Sequence, residues 1–189
     1  MNLEEAIQHT QQLSGRWIMP ILLHLKSSGG RFTPLQKQLQ ISPSRLSDNF
    51  SRLVSKQIVK RLSPYERRHP LLPEYELTEY GELLFVITQC LQKAEETIEA
   101  GPLHRKSWTW PLMISLYHDY TRFQSLQRLL GNPSPRILSM RLNELCDLKL
   151  VKKEITEQPS LRYTYQLEDR LYPIVDMLWG ELLKIEIIQ

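Results

Sequence analysis

Between residues 16 and 25 the apolar side chains Ile18, Ile21, Leu22 and Leu25 stand at the i, i+3, i+4, i+7 spacing of a helix that buries one face. Pro20 falls in its first turn, where a missing N–H costs little. Gly29-Gly30 predicts its end. Arg31-Phe32 leaves room for one β-bridge. Thr33-Pro34 predicts an N-cap and an N1 proline, opening a short helix to Leu39. Ser42-Pro43 repeats that start signal nine residues on, and Leu46, Phe50 and Leu53 form the buried stripe of a helix reaching about residue 55. Two capped helices separated by so short a turn make a helix-turn-helix. Strands are predicted over 58–62 and 74–77, joined by a loop with Pro64, Pro70 and Pro73: a wing. Thr78 caps a long helix over 79–99, stopped by Gly101-Pro102, and residues 3–14 predict a leading helix.

The pattern then returns. Trp17, Pro20, Arg31-Phe32, Leu35-Gln36 and Leu39 recur 91 residues later as Trp108, Pro111, Arg122-Phe123, Leu126-Gln127 and Leu130. After one inserted residue, Ser42-Pro43, Leu46-Ser47, Leu53 and Val59-Lys60 return as Ser134-Pro135, Leu138-Ser139, Leu145 and Val151-Lys152. Tyr75 and Leu77 match Tyr165 and Leu167. Order is kept and the gaps fall in turns, which identifies a duplicated unit. In the second copy Ser107 is the expected cap of the first helix, and Gly131-Asn132-Pro133 the turn. Leu138, Leu142 and Leu145 form the stripe, 150–155 and 162–167 the hairpin, and 169–187 a closing helix with Pro173 in its first turn. The expected fold is α+β, mainly helical, with two tandem winged helix-turn-helix domains joined by a long helix. The first covers 1–103, with the leading helix and the long C-terminal one, and the second covers 104–189.

Composition narrows this little. Apolar residues at 41% and charged ones at 24% describe an ordinary soluble chain. No apolar run is long enough to span a bilayer, the acidic opening Met1-Asn2-Leu3-Glu4-Glu5 predicts no secretory leader, and Cys90 and Cys146 argue against a disulfide framework. A cytoplasmic protein is expected. Charge distribution changes the picture more. Residues 26–72 carry ten Lys/Arg against Asp48 and Glu66, residues 73–103 seven Glu against Lys93, and residues 117–162 eight Lys/Arg against five acids. Positive charge is concentrated on the helix-turn-helix and hairpin of each copy, the first above all.

That distribution points to double-stranded DNA. The second helix of such a motif lies in the major groove, with apolar residues inward and polar or basic ones outward. In copy one the outward row is Arg45, Asn49, Arg52 and Lys56, at i, i+4, i+7 and i+11. Ser42, Ser44 and Ser47 stand at the helix start, within reach of phosphate. Arg67, Arg68 and His69 of the wing are placed for flanking backbone or minor groove. In copy two the corresponding row is Ile137, Arg141, Glu144 and Leu148, so most of the basic character is gone, although Arg136, Arg141 and Asn143 remain. Two readings stay open for that copy: a weaker or differently specific reader, or a degenerate unit kept for assembly.

Ser134-Pro135-Arg136-Ile137-Leu138-Ser139-Met140-Arg141-Leu142, preceded by Arg122-Phe123 and Trp108, resembles the winged helix-turn-helix of HxlR-type bacterial transcription regulators. So do Gly15-Arg16-Trp17, Arg31-Phe32 with Leu35, Ile41-Ser42-Pro43, and Tyr75, Leu77-Thr78 and Gly81. Such regulators are usually single units that dimerise through terminal helices, so the resemblance implies a covalent pseudo-dimer. It also implies that Arg136, Ser139 and Arg141 sit where family members meet DNA; Ser134, at the start of the same helix, is a further candidate contact. The family often carries a cysteine just before the Gly-Arg-Trp segment; residues 2–14 here have none, which excludes thiol switching there. The glycine that usually closes the recognition helix is Gln57 in one copy and Lys149 in the other, and Glu168-Asp169 does not keep the Thr–x–x–Gly exit.

Other chemistry is thin. The five histidines show no metal-ligand spacing, the seven glycines form no phosphate loop, and nothing implies a cofactor or a catalytic set. Trp17, Trp108, Trp110, Tyr117 and Trp179 suit core packing better than an effector pocket between domains. The apolar closing helix, with Met177, Leu178, Leu182, Leu183, Ile185, Ile187 and Ile188, leaves room for homodimerisation. The favoured function is a non-enzymatic, sequence-specific DNA-binding transcription regulator, whose two recognition helices would stand about one DNA turn, roughly 34 Å, apart. The rival is a tandem winged-helix protein-interaction module of a chromosome-organising or transcription assembly.

Overall fold

The computed structural model describes residues 1–69, 71–156 and 162–185, and in them the expected order of elements occurs twice. Helix α1 (Leu3–Gln12) precedes α2 (Ile18–Leu25), α3 (Phe32–Leu39), α4 (Pro43–Ser55), β1 (Val59–Arg61), β2 (Tyr75–Leu77) and the long α5 (Glu79–Ile98). After a 3-10 turn at Leu103–Arg105 come α6 (Thr109–Tyr117), α7 (Phe123–Leu129), α8 (Pro135–Asp147), β3 (Val151–Thr156), β4 (Arg162–Leu167), a second 3-10 turn at Asp169–Leu171 and α9 (Tyr172–Lys184). Each hairpin is its own two-stranded antiparallel sheet, with Val59 opposite Leu77 and Val151 opposite Leu167. Arg31 and Arg122 each form the single bridge expected of so short a segment, to Glu74 and Thr164 respectively. Pro70 of the first loop, residues 157–160 of the second, and Ile187 and Ile188 of the closing helix lie outside the described residues. Among the described residues no helix is long and apolar enough to cross a membrane.

Packing and duplication partition the chain differently. The compact units are Gly15–Gln89, and Met1–Ser14 together with Cys90–Gln189; the division falls within α5. Helix α1 thus packs with the second copy, along α6, and the Trp108 backbone N–H donates to the Gln11 side-chain oxygen (3.2 Å). The cause is α6 itself. Every residue from Thr109 to Leu116 is buried, and a helix apolar all round needs cover on more than one face. Ala6, Ile7 and Leu13 supply some of it.

Within Gly15–Gln89, the side chains of Leu22, Leu35, Leu46, Phe50, Leu53 and Leu84 are buried, and Phe50 stacks on Tyr75 at 3.8 Å between ring centres. Ser42 caps α4 as expected, its Oγ accepting from the Arg45 N–H (3.4 Å), and Thr78 Oγ1 accepts from the Gly81 N–H (3.0 Å) at the start of α5. Thr33 does not cap α3. The helix begins at Phe32, with Arg31 in the cap position and no side-chain bond, so Pro34 is the third helical residue and still in a turn that leaves N–H groups unpartnered. Gln40 takes a left-handed conformation (φ 50°) between α3 and α4, and Gln36 Nε2 donates across that turn to the Ile41 carbonyl (3.1 Å). Gln127 does the same to Pro133 (3.0 Å). Gly30 is required where it stands: φ is +74°, and a Cβ would collide with the Tyr75 carbonyl oxygen.

In the other unit, Ser107 does not cap α6. Trp108 occupies the cap position with φ 71° and no side-chain bond, while the Ser107 carbonyl is taken by Arg141 Nε (2.8 Å). Glu95, near the end of α5, gathers three donors: the His104 backbone N–H (2.6 Å), His104 Nδ1 (2.8 Å) and Trp110 Nε1 (2.9 Å). One carboxylate thereby ties the chain leaving α5 to the start of α6.

Candidate nucleic-acid interface

Helix α4 carries the predicted row on a rigid support. Its stripe, Leu46, Phe50 and Leu53, is buried, which turns Arg45, Arg52 and Lys56 outward; all three are exposed and make no ion pair among the described residues. Ser42, Ser44 and Ser47 are exposed at its N-terminal end, although the Ser42 hydroxyl is also the cap. Asn49 is less available than the row implies. It lies three residues past Leu46 and one before Phe50, so it flanks the stripe, is half-buried, and donates to the Arg45 carbonyl (2.7 Å). The four-residue row is therefore a three-cation ridge with a partly engaged amide.

The first hairpin loop commits part of its charge internally. Arg67 Nε donates to the Leu62 carbonyl (2.7 Å). Arg68 pairs with the buried Glu74 carboxylate (3.5 Å) and lies over Gly29. A buried carboxylate requires such a partner, so Arg68 stabilises the loop. His69 is exposed, its Nδ1 accepting from the Leu71 N–H (3.3 Å).

Copy two corrects the expectation for Arg141. It is only 6% exposed, because its position, like that of Asn49, flanks the apolar stripe. Its guanidinium bonds the Ser107 carbonyl and pairs with Glu144, which also receives Lys106 (3.0 Å). Arg141 is internal to the fold and not on the accessible face of α8. That face presents Arg136, Ser139 and Asn143, together with Ile137 (40% exposed), Met140 (47%) and Leu148 (46%). Ser134 caps the helix, accepting from the Ile137 N–H (3.3 Å). Lys106 as the second partner of Glu144 escaped the sequence reading, because 106 and 144 lie far apart along the chain.

Two hairpin lysines at equivalent positions are also spoken for. Lys60 pairs with Glu76 (2.9 Å) and Lys152 with Asp169 (2.8 Å), and these hydrogen bonds raise both ammonium pKa values. Cys90 and Cys146 are free and half-buried, and burial pushes both thiols above their ordinary pKa, which disfavours the reactive thiolate.

The HxlR-like helix-turn-helix family matches the chain twice, over residues 12–100 and 103–184. No curated protein matches it. Among solved structures, a chain described as a "Putitive Transcriptional Regulator of MarR Family" from Enterococcus faecalis V583 is 27% identical, with a TM-score of 0.38, and the match covers 53% of this chain and 90% of the other. Diamide-treated YodB from B. subtilis is 20% identical, with a TM-score of 0.36, covering 47% and 84%.

Proposed function

The chain belongs to the HxlR-like helix-turn-helix family, and from that premise we propose that it is a sequence-specific DNA-binding transcription regulator in which one chain carries two units in place of a homodimer. The observation that carries this reading is the ridge of Arg45, Arg52 and Lys56: three exposed cations, with no ion pair among the described residues, on a capped helix whose opposite side is locked into the core. Arg can pair bidentately with guanine, and such a contact supplies discrimination between bases. The exposed apolar residues Ile137, Met140 and Leu148 make copy two a poor reader of base edges and support asymmetric use of the two copies. They equally support a second reading for α8 alone, as a protein-contact face.

Binding of a duplex recovered from a random library, followed by fluorescence anisotropy, tests the proposal. Arg45→Ala and Arg52→Ala each weaken specific binding by about 1–3 kcal/mol. Unchanged affinity in both would defeat it. A family of protein-interaction modules would instead show no duplex binding that weakens with salt.

A further inference from the structure

The duplication allows each exposed position to be compared with its counterpart. Several residues kept in both copies are buried in both, such as Leu35 and Leu126 or Leu53 and Leu145, and packing accounts for them. Lys60 and Lys152 are kept as hairpin ion pairs. Three exposed positions remain at which both copies hold a cation with no ion pair among the described residues: Arg31 and Arg122, Lys37 and Arg128, Arg61 and Lys153. Over the same stretch the outward row of α4 is lost in α8. Charge has been retained beside the second recognition helix while most of it is missing from the outward row of the helix itself.

In copy two, two of these cations converge and the third lies against a residue of the same wall. Arg122 and Arg128 line a concavity of about 510 Å³ between α7 and the hairpin, with Gln124, Ser125 and Tyr163 also on its wall. Lys153 Nζ sits 4.1 Å from the centre of the Tyr163 ring, a cation–π contact that holds the ammonium on the same side of the hairpin. The bridge between Arg122 and Thr164 fixes helix to strand. Glu154, the neighbouring acid, points to the opposite face by the two-residue period of a strand. Among the described residues no carboxylate lines the concavity, while two guanidiniums, an amide and a hydroxyl do. That is a donor set for phosphate oxygens, with guanidinium able to bind two at once.

We propose that this concavity grips the phosphate backbone of duplex DNA, so that the second copy positions the chain on the duplex while the first reads base edges. The inference rests on the regulator reading and extends it. Phosphate contacts fix register without carrying sequence information, which is the role a unit can keep after losing its base-reading row.

The test uses the full chain with Arg122→Gln, Arg128→Gln and Lys153→Gln combined, titrated against a labelled duplex containing the selected site and against a scrambled duplex over a range of salt. Each phosphate contact contributes about 0.9 to the slope of log affinity against log salt. The variant is expected to lower that slope by about 2–3, to lose affinity by the same factor on both duplexes, and to keep its base preference. The charge-keeping variant with Arg122→Lys, Arg128→Lys and Lys153→Arg restores the slope; failure to restore it in a folded protein overturns the inference. An unchanged slope, in a protein that Arg45→Ala still weakens, overturns the inference and leaves the regulator reading standing. Altered base preference also overturns it. Absence of salt-dependent duplex binding by the unsubstituted chain removes the regulator reading and this inference with it. Should the triple variant not fold, Arg128→Gln alone decides, with a slope change of about 0.9 expected and none contradicting.

Discussion

Helices α4 and α8 share length, cap and buried stripe, yet their outward faces have parted. Both begin Ser-Pro, both run thirteen residues, and Leu46, Phe50 and Leu53 correspond to Leu138, Leu142 and Leu145. Outward, Arg45, Asn49, Arg52 and Lys56 stand against Ile137, Arg141, Glu144 and Leu148. The stripe is constrained by packing, where lost volume costs several kcal/mol. The outward face answers to its partner only, so it is where two copies can take different roles. Position 49/141 belongs to neither class. On the edge of the stripe, Asn there stays half-exposed, whereas Arg reaches back to the Ser107 carbonyl and becomes internal.

The comparison is broken hardest at Gly30. Its repeat counterpart is Thr121, whose carbonyl accepts the same strand bond from Tyr165 (2.8 Å) that Gly30 accepts from Tyr75 (2.8 Å). Copy one requires a positive φ there. Gly30→Ala is expected to destabilise the protein by about 3 kcal/mol in denaturant unfolding, whereas Thr121→Ala should cost under about 1 kcal/mol.

Next comes Arg141. Arg141→Met removes a buried guanidinium and leaves the Ser107 carbonyl unpartnered, a loss of about 1–3 kcal/mol in stability. Asn49→Ala at the equivalent position should cost less than about 1 kcal/mol. Lower DNA affinity at unchanged stability would place Arg141 on the interface and contradict the packing seen here. On the outward faces, Ile137→Ala and Met140→Ala should leave duplex affinity within about 0.5 kcal/mol, the ordinary range for surface changes, in contrast to Arg45→Ala and Arg52→Ala.

The smallest effect is a titration. Burial lowers the His118 pKa, partly offset by Asp119, and the ring packs edge-on against Trp179 at 4.4 Å. The unfolded chain therefore binds the proton more readily. Its contribution to stability is complete above the unfolded value near 6.5 and declines as pH falls through that value toward the lower folded one. His118→Gln should flatten the stability profile as pH falls below the unfolded value; an identical profile would show that another group governs it.

Much of this architecture was legible in the residues. Ser-Pro starts, apolar stripes and hairpin signals depend on neighbours a few positions away, and the caps at Ser42, Ser134 and Thr78 stand where expected. Thr33 and Ser107 gave the same signal without serving as caps. A polar residue near a helix start offers an acceptor, and whether the chain bends there or one residue away depends on tertiary bridges such as Arg31 to Glu74. The engagement of Arg68 by Glu74, the burial of Arg141 and the packing of α1 along α6 depend on groups brought together by the fold. The convergence of Arg122, Arg128 and Lys153 was half visible. The repeat aligns them with Arg31, Lys37 and Arg61, but the concavity that Arg122 and Arg128 line, with Lys153 against its Tyr163 wall, exists only once the hairpin is folded against α7.

The central claim, that the two copies divide reading from positioning, is tested most directly by binding-site selection from a random duplex library with the full chain. One run of specified base pairs, flanked by contacted but sequence-indifferent duplex, is the expected result. Two equally specified half-sites in inverted repeat would contradict it.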